Sequence, residues 1–261
     1  TPVAPRAYQI AEEFKNYEYE VEFQTYEFEG NLCKNIIAGT QGSTEKDEIV
    51  IVGAHYDSVW GSPGADDNAS AVACLLEMAR LFLKNKPQRT VRFIAFTNEE
   101  PPFFLTDDMG SQHYAKECKR KKENIVAMVC LESIGYYTKQ KGSQYYPPGL
   151  GLFYPNKGNF IGIVGDIRSR HLVKKVKEVF KRYSNLPVKV LIGIPLLVPA
   201  IEFSDNASFW RQGYKAVMIT DTAFYRNPNY HTLHDVADTL DYKSLQEAFK
   251  GLYYVLLELA K

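Results

Sequence analysis

Imidazole and carboxylate side chains crowd the segment GAHYDSVWGSPGADDNAS, residues 53–70, which directly follows the apolar run EIVIV. A buried charge is costly unless it is paired or binds a metal, so His55, Asp57, Asp66 and Asp67 need a partner beside that run. Other chemistry-bearing groups stand in the same relation to an apolar stretch. Asn98, Glu99 and Glu100 follow RFIAFT, Glu132 follows VAMVCL, and Asp221 follows KAVMIT, with NYHTLHD (229–235) close behind. Ligands of open α/β sheets bind beyond the carboxyl ends of the strands. Neighbouring parallel strands would bring His55, Asp66, Glu99, Glu100 and Glu132 to one edge. Acids gathered in this way repel and resist ionisation, and one or two divalent cations reverse the penalty.

Imidazole and carboxylate without thiolate suit Zn, or Mn and Co, better than Ca or Cu(I). Two imidazoles with a shared carboxylate fit a two-metal hydrolytic site, with ions about 3.5–4 Å apart. The expected bridge is Asp66, in the tight turn Gly64-Ala65-Asp66-Asp67, whereas Asp67 is expected to cap the helix that follows. His231 and His234 compete for one ligand position, and YHT favours His231. His113 and His171 fall on expected helices and are set aside. The patterns H-E-x-x-H, G-x-S-x-G and the phosphate-binding P-loop are absent. The aromatics of PPFF (101–104), Tyr136, Trp210, Phe224 and Tyr225 could line a substrate pocket, but core packing explains aromatics more often and they are given no site role.

The elements that must position these groups are legible in the hydrophobic pattern. EIVIVGA (48–54), TVRFIAFT (90–97) and NIVAMVCLE (124–132) are short and almost continuously apolar, as strands covered on both faces are. In DNASAVACLLEMARLFL (67–83), Ala71, Leu75, Met78, Ala79 and Phe82 recur at helical spacing, with Asp67 or Asn68 as the expected cap. Upstream, residues 4–15 suggest a helix. EYEVEFQTYEF (18–28) alternates as a half-exposed strand, and CKNIIAGT (33–40) can pair with it. Downstream, NFIGIVGD (159–166), LPVKVLIGI (186–194) and YKAVMIT (214–220) read as strands. SRHLVKKVKEVFKRY (169–183) and DYKSLQEAFKGLYYVLLELAK (241–261) read as helices. Strands alternating with helices imply an α/β fold, with helices on both faces of a mostly parallel sheet. GSQYYPPGLGLFYPNKG (142–158) is the longest irregular stretch and is expected beside a site. Without a repeat or linker, a single catalytic domain over residues 1–261 is the simplest organisation.

Lys and Arg total 31, as do Asp and Glu, so the 261-residue chain has no basic footprint for nucleic acid. No apolar stretch approaches the roughly 20 residues of a membrane span, and TPVAPRAYQI lacks a signal-peptide pattern. Cys33, Cys74, Cys118 and Cys130 lack metal-finger spacing. Cys74 and Cys130 read as small buried hydrophobes.

Taken in order, GAHYDS (53–58), GADDNAS (64–70), TNEEPPFF (97–104), MGSQHYA (109–115), LESIGYY (131–137) and ITDTAFYRNPNYHTLHDVADTLDY (219–242) resemble peptidase family M28, the co-catalytic zinc aminopeptidases. The resemblance implies a three-layer α/β/α sandwich with a mixed, mostly parallel central sheet. It implies two Zn2+ ions held by His55, Asp66, Glu100, Glu132 and His231, with Asp66 bridging. Glu99 would be the general base, and Asp57 would support His55, as metal-bound imidazoles require. Asp235 would do the same near His231, and Tyr230 would help stabilise the oxyanion. Many members place Asp where Glu132 stands, so the longer side chain must fold back to reach a metal at roughly 2.0–2.2 Å. The implied substrate is a peptide attacked at its N-terminus, and the implied compartment is secreted or periplasmic. Two other readings stay open. A glutaminyl-peptide cyclotransferase with one zinc is disfavoured by the paired acids of GADD. A non-catalytic receptor-like or scaffold relative is disfavoured by the complete candidate ligand set.

Overall fold

In the computed structural model, which describes residues 3–261, the apolar runs lie side by side at the centre of an eight-stranded sheet. The strands are β1 (Val21–Phe28), β2 (Asn31–Thr40), β3 (Glu45–His55), β4 (Arg89–Phe96), β5 (Asn124–Glu132), β6 (Ile161–Asp166), β7 (Val188–Gly193) and β8 (Ala216–Thr220). Their order is β1-β2-β4-β3-β5-β8-β6-β7. β4, β3, β5 and β8 form a parallel centre. The β1–β2 hairpin adds antiparallel at one margin, and β6, antiparallel to β8, carries β7 at the other. The sheet is therefore mixed, as expected.

Strand side chains alternate between faces. On β3, Val50, Val52 and Ala54 pack into one core while Ile49 and Ile51 pack into another. Burial on both faces explains the uninterrupted apolar run. The first core holds helices α1 (Val3–Asn16), α2 (Ala71–Phe82), α4 (Arg170–Tyr183) and α6 (Tyr242–Leu259); the second holds α3 (Gly110–Lys121) and the short α5 (Asn206–Arg211). This is the three-layer sandwich. All four cysteines are free, with Cys74, Cys118 and Cys130 buried.

Two departures from the sequence reading concern the site. Regular helix begins at Ala71 rather than Asp67, because residues 65–70 form a wider turn with non-helical angles at Asp67 and Asn68. No side-chain cap is made there. Gly64 opens the turn at φ 71°, and a Cβ on it would lie 2.6 Å from the Asp67 carbonyl oxygen. The second departure is α5, which six residues are too few to announce by periodicity.

Phe93 of β4 is fully buried and meets Tyr19 and Phe82 edge-on, with ring centroids 6.0 and 5.8 Å apart. Phe93→Ala is expected to lower unfolding free energy by about 3–5 kcal/mol, read from urea denaturation. An unchanged midpoint would contradict this packing.

Candidate metal centre

The parallel strands deliver their C-terminal ends to one edge. His55 closes β3, Glu99 and Glu100 follow β4, Glu132 closes β5, and Asp221 follows β8. The turn before α2 supplies an acid from above this edge, and the 227–235 segment supplies His231. The acid is Asp67. Its Oδ1 lies 3.2 Å from His55 Nε2 and its Oδ2 lies 3.1 Å from His231 Nε2. Glu132 Oε2 stands 3.3 Å from His55 Nε2, and Glu100 Oε2 stands 3.1 Å from His231 Nε2. Two groups of three donors result, His55–Asp67–Glu132 and Asp67–Glu100–His231, each with its donor atoms within 4.8 Å of one another. Glu99 Oε2 lies 3.8 Å from His55 Nε2, and Glu99 forms a further such group with His55 and Glu100.

The expectation that Asp66 bridges is corrected. Its Oδ1 accepts from the Gly135 N–H and its Oδ2 from Asn227 Nδ2, both at 2.8 Å, so it points away from the histidines. The extended backbone of Asp67 turns that side chain to the opposite side. Adjacent acids in GADD offer no spacing signal to separate the two roles.

Several buried atoms of this cluster make no hydrogen bond: His55 Nδ1 and Nε2, Asp67 Oδ1 and Glu100 Oε1. Buried polar atoms are almost always satisfied. Oxygens stand close to the His55 nitrogens without hydrogen-bond geometry, facing a shared space. That arrangement, with nitrogen and oxygen donors only, fits a divalent ion of zinc type.

The electrostatics point the same way. Burial raises the Glu99 carboxyl well above its usual range, with Glu132 and Glu100 adding to the effect against the pull of His55. Burial likewise pushes Glu100 up to about 7. Burial also opposes the charged forms of His231 and Asp67, but their contact outweighs it. His231, facing Asp67 and Glu100, rises to about 9, while Asp67 is held below the ordinary carboxylate range by His231 and His55.

Further side chains fix the geometry. Asp57 accepts from the backbone N–H groups of Glu99 and Glu100 at 3.2 and 3.1 Å, and its Oδ1 lies 3.5 Å from His55 Nδ1. It thus stands beside His55, the residue the resemblance paired it with. Asp235 differs from expectation, because it accepts from the N–H groups of Asp66 and Asp67 at 3.0 and 3.2 Å and so holds the turn rather than His231. Asn68 ties that turn to β5, donating to the Leu131 carbonyl at 3.1 Å and accepting from the Ser133 N–H at 2.9 Å. Glu132 is held by hydroxyls, Ser133 Oγ donating at 3.1 Å and Ser204 Oγ at 2.7 Å. Ser204 and the buried Asp205 beside it, pushed up to about 7 by burial, were not anticipated. The acid in FSDNAS just before α5 was the available signal. His231 itself sits at φ 58°, stacked on Tyr230 at 3.8 Å. Positive φ at Asn98 and Ser133, beside Glu99 and Glu132, places further backbone strain at this edge. His234 and His171 are exposed, and His113 stacks on Tyr26.

A cavity of about 300 Å³ adjoins the cluster, with Glu99, Glu100, Glu132 and His231 among its walls. Its other walls are largely apolar and include Phe104, Phe203, Phe224, Tyr225 and Met218. Tyr145, Tyr146 and Leu150 come from the irregular 142–158 segment, as expected. Of the aromatics given no site role from the sequence, Phe104, Phe224 and Tyr225 are cavity walls, whereas Trp210 is core.

Residues 35–256 match peptidase family M28, and the chain belongs to that family. It is 40% identical to the Escherichia coli protein described as "Uncharacterized protein YfbL", over 96% of this chain and 78% of that one. It is 29% identical to a "Probable leucine aminopeptidase" of Arthroderma otae, over 87% of this chain and 57% of that one. The chain thus spans little more than half the length of the latter. The fold matches the Legionella pneumophila LapA aminopeptidase (TM-score 0.75, 22% identity, 98% of this chain, 65% of that one). It also matches the Fimbriiglobus ruber glutaminyl cyclase (TM-score 0.72, 16% identity, all of this chain, 89% of that one).

The pKa shifts set a pH dependence for the metal-free protein. Raising His231 from 6.5 to about 9 gives stability that is complete below 6.5 and lost as pH rises through 9. Raising Glu100 from 4.5 to about 7 means the folded state keeps a proton the unfolded chain releases, so stability also falls as pH rises from 4.5 towards 7. Metal requires deprotonated ligands. Zinc should therefore raise the melting temperature more at about pH 8 than at about pH 6. Thermal melts with and without zinc check this, and a zinc effect that shrinks as pH rises would contradict it.

Proposed function

We propose that the chain is a zinc-dependent exopeptidase that removes N-terminal residues from peptides. The observation that carries this reading is Asp67, with one carboxylate oxygen against each of two imidazoles. Family membership and the aminopeptidase named among its relatives support it. His55, Asp67 and Glu132 would hold one ion, and Asp67, Glu100 and His231 a second. Zinc so held supplies Lewis acidity that makes water nucleophilic near neutral pH.

The remaining steps belong to the chain's own residues. Glu99, raised by burial and lining the cavity, takes the proton of the attacking water and delivers it to the leaving amine. Asp57 holds the Glu99 and Glu100 backbone and so fixes both carboxylates. Burial raises the Tyr230 hydroxyl and keeps it protonated, so it serves as a donor towards charge developing on the substrate carbonyl. The apolar walls receive the side chain of the first residue. A one-zinc glutaminyl cyclase shares the fold, but two three-donor groups sharing Asp67 favour hydrolysis.

With free and N-acetylated peptides, the reading predicts release of free amino acid from the free N-termini only. Pyroglutamate from glutaminyl peptides would instead support the cyclase. Glu99→Gln is expected to keep its zinc and fold while losing about 10²–10⁴ in rate; turnover near wild type would remove Glu99 from the mechanism. Asp67→Asn should lose bound zinc in a stoichiometry measurement. Asp66→Asn should retain it, and the reverse order would restore Asp66 as the bridge.

A further inference from the structure

The floor of the cavity has a gap. Glu132 on β5 is in register with Thr220 on β8, Thr220 with Gly162 on β6, and Gly162 with Lys189 on β7. All four line the cavity, so one row of residues runs from the candidate metal centre outward across the sheet. Neighbouring strands lie about 4.8 Å apart, which puts Gly162 roughly 10 Å from Glu132 along that row. The adjacent row, Met218, Val164 and Leu191, lines the same cavity with apolar side chains. Ile161 and Ile163, on either side of Gly162, face the opposite core. A side chain at 162 would therefore enter the cavity.

We propose that Gly162 is the specificity-determining residue, leaving the floor open so that long aliphatic and aromatic first residues are accepted. This rests on the aminopeptidase reading. Gly162 has no positive φ, and a Cβ there would meet nothing closer than the Thr220 carbonyl oxygen at 3.2 Å. Its φ therefore does not call for glycine, and a side chain there requires the Thr220 carbonyl to give by a few tenths of an ångström. The consequence of the missing side chain is space, at the distance from the acids where the end of a long substrate side chain arrives. A single methylene in an apolar pocket changes discrimination by about 10–200-fold, so a valine at this position is a strong perturbation.

The test compares wild type with Gly162→Ala and Gly162→Val on alanyl, leucyl and phenylalanyl anilides, with zinc content and thermal melts measured in parallel. Gly162→Val should lower kcat/KM for the phenylalanyl and leucyl substrates by about tenfold or more, while the alanyl substrate stays within about twofold. Calorimetric titration with free L-phenylalanine and L-alanine should show the same ordering in affinity. If the valine protein does not fold, the alanine variant is read by the same criterion with a smaller expected change. A folded, zinc-loaded variant that loses all substrates equally, or none, overturns the role of Gly162 and leaves the aminopeptidase reading standing. A wild-type protein that releases no amino acid from any of the three overturns the aminopeptidase reading, and this proposal with it.

Discussion

Asp67 presents one oxygen to His55 and the other to His231, at 3.2 and 3.1 Å, and Glu99, Glu100 and Glu132 crowd the same space. Four carboxylates facing two imidazoles inside a protein are unfavourable unless a positive charge joins them. Contacts around the edge hold these groups in place. Asp57 reaches from the end of β3 to the backbone after β4. Asn68 reaches from the turn to the end of β5. Asp235 receives two successive N–H groups of the turn that carries Asp67. Each contact joins segments far apart in sequence, so the donor atoms are fixed relative to one another by the sheet rather than by local chain geometry.

The same sheet separates the two tasks of the site. Its C-terminal edge concentrates charge, and the face leading away from that edge across β8, β6 and β7 is apolar except at the row through Thr220 and Lys189. Charge and apolar surface are thus adjacent but carried by different strands. Residues that gather the acids can stay constant while the cavity floor varies, because register transmits position without requiring shared side chains.

Much of this was legible in the sequence, for identifiable reasons. Central strands announce themselves by unbroken apolar runs, and acids immediately after such runs have nowhere to go but the edge. The strand-end argument places His55, Glu99, Glu100 and Glu132 at that edge, where the structure has them, whereas the roles of His231 and Asp57 were reached only through the family resemblance. The choice between Asp66 and Asp67 was not legible. Neighbouring residues in an irregular turn point in directions set by tertiary partners, here Gly135, Asn227 and Asp235. Ser204 and Asp205 escaped notice because α5 is too short to leave a period, and the cavity aromatics because a lining ring and a core ring look alike in one dimension.

The 142–158 segment does more than wall the cavity. Tyr154 donates its hydroxyl to the Val190 carbonyl at 2.7 Å, on the outermost strand of the sheet. An unpaired outer strand is a template on which another chain can add itself. By occupying one acceptor on that strand, the irregular segment covers part of the template, and Lys189 and Leu191 of the same strand reach the cavity.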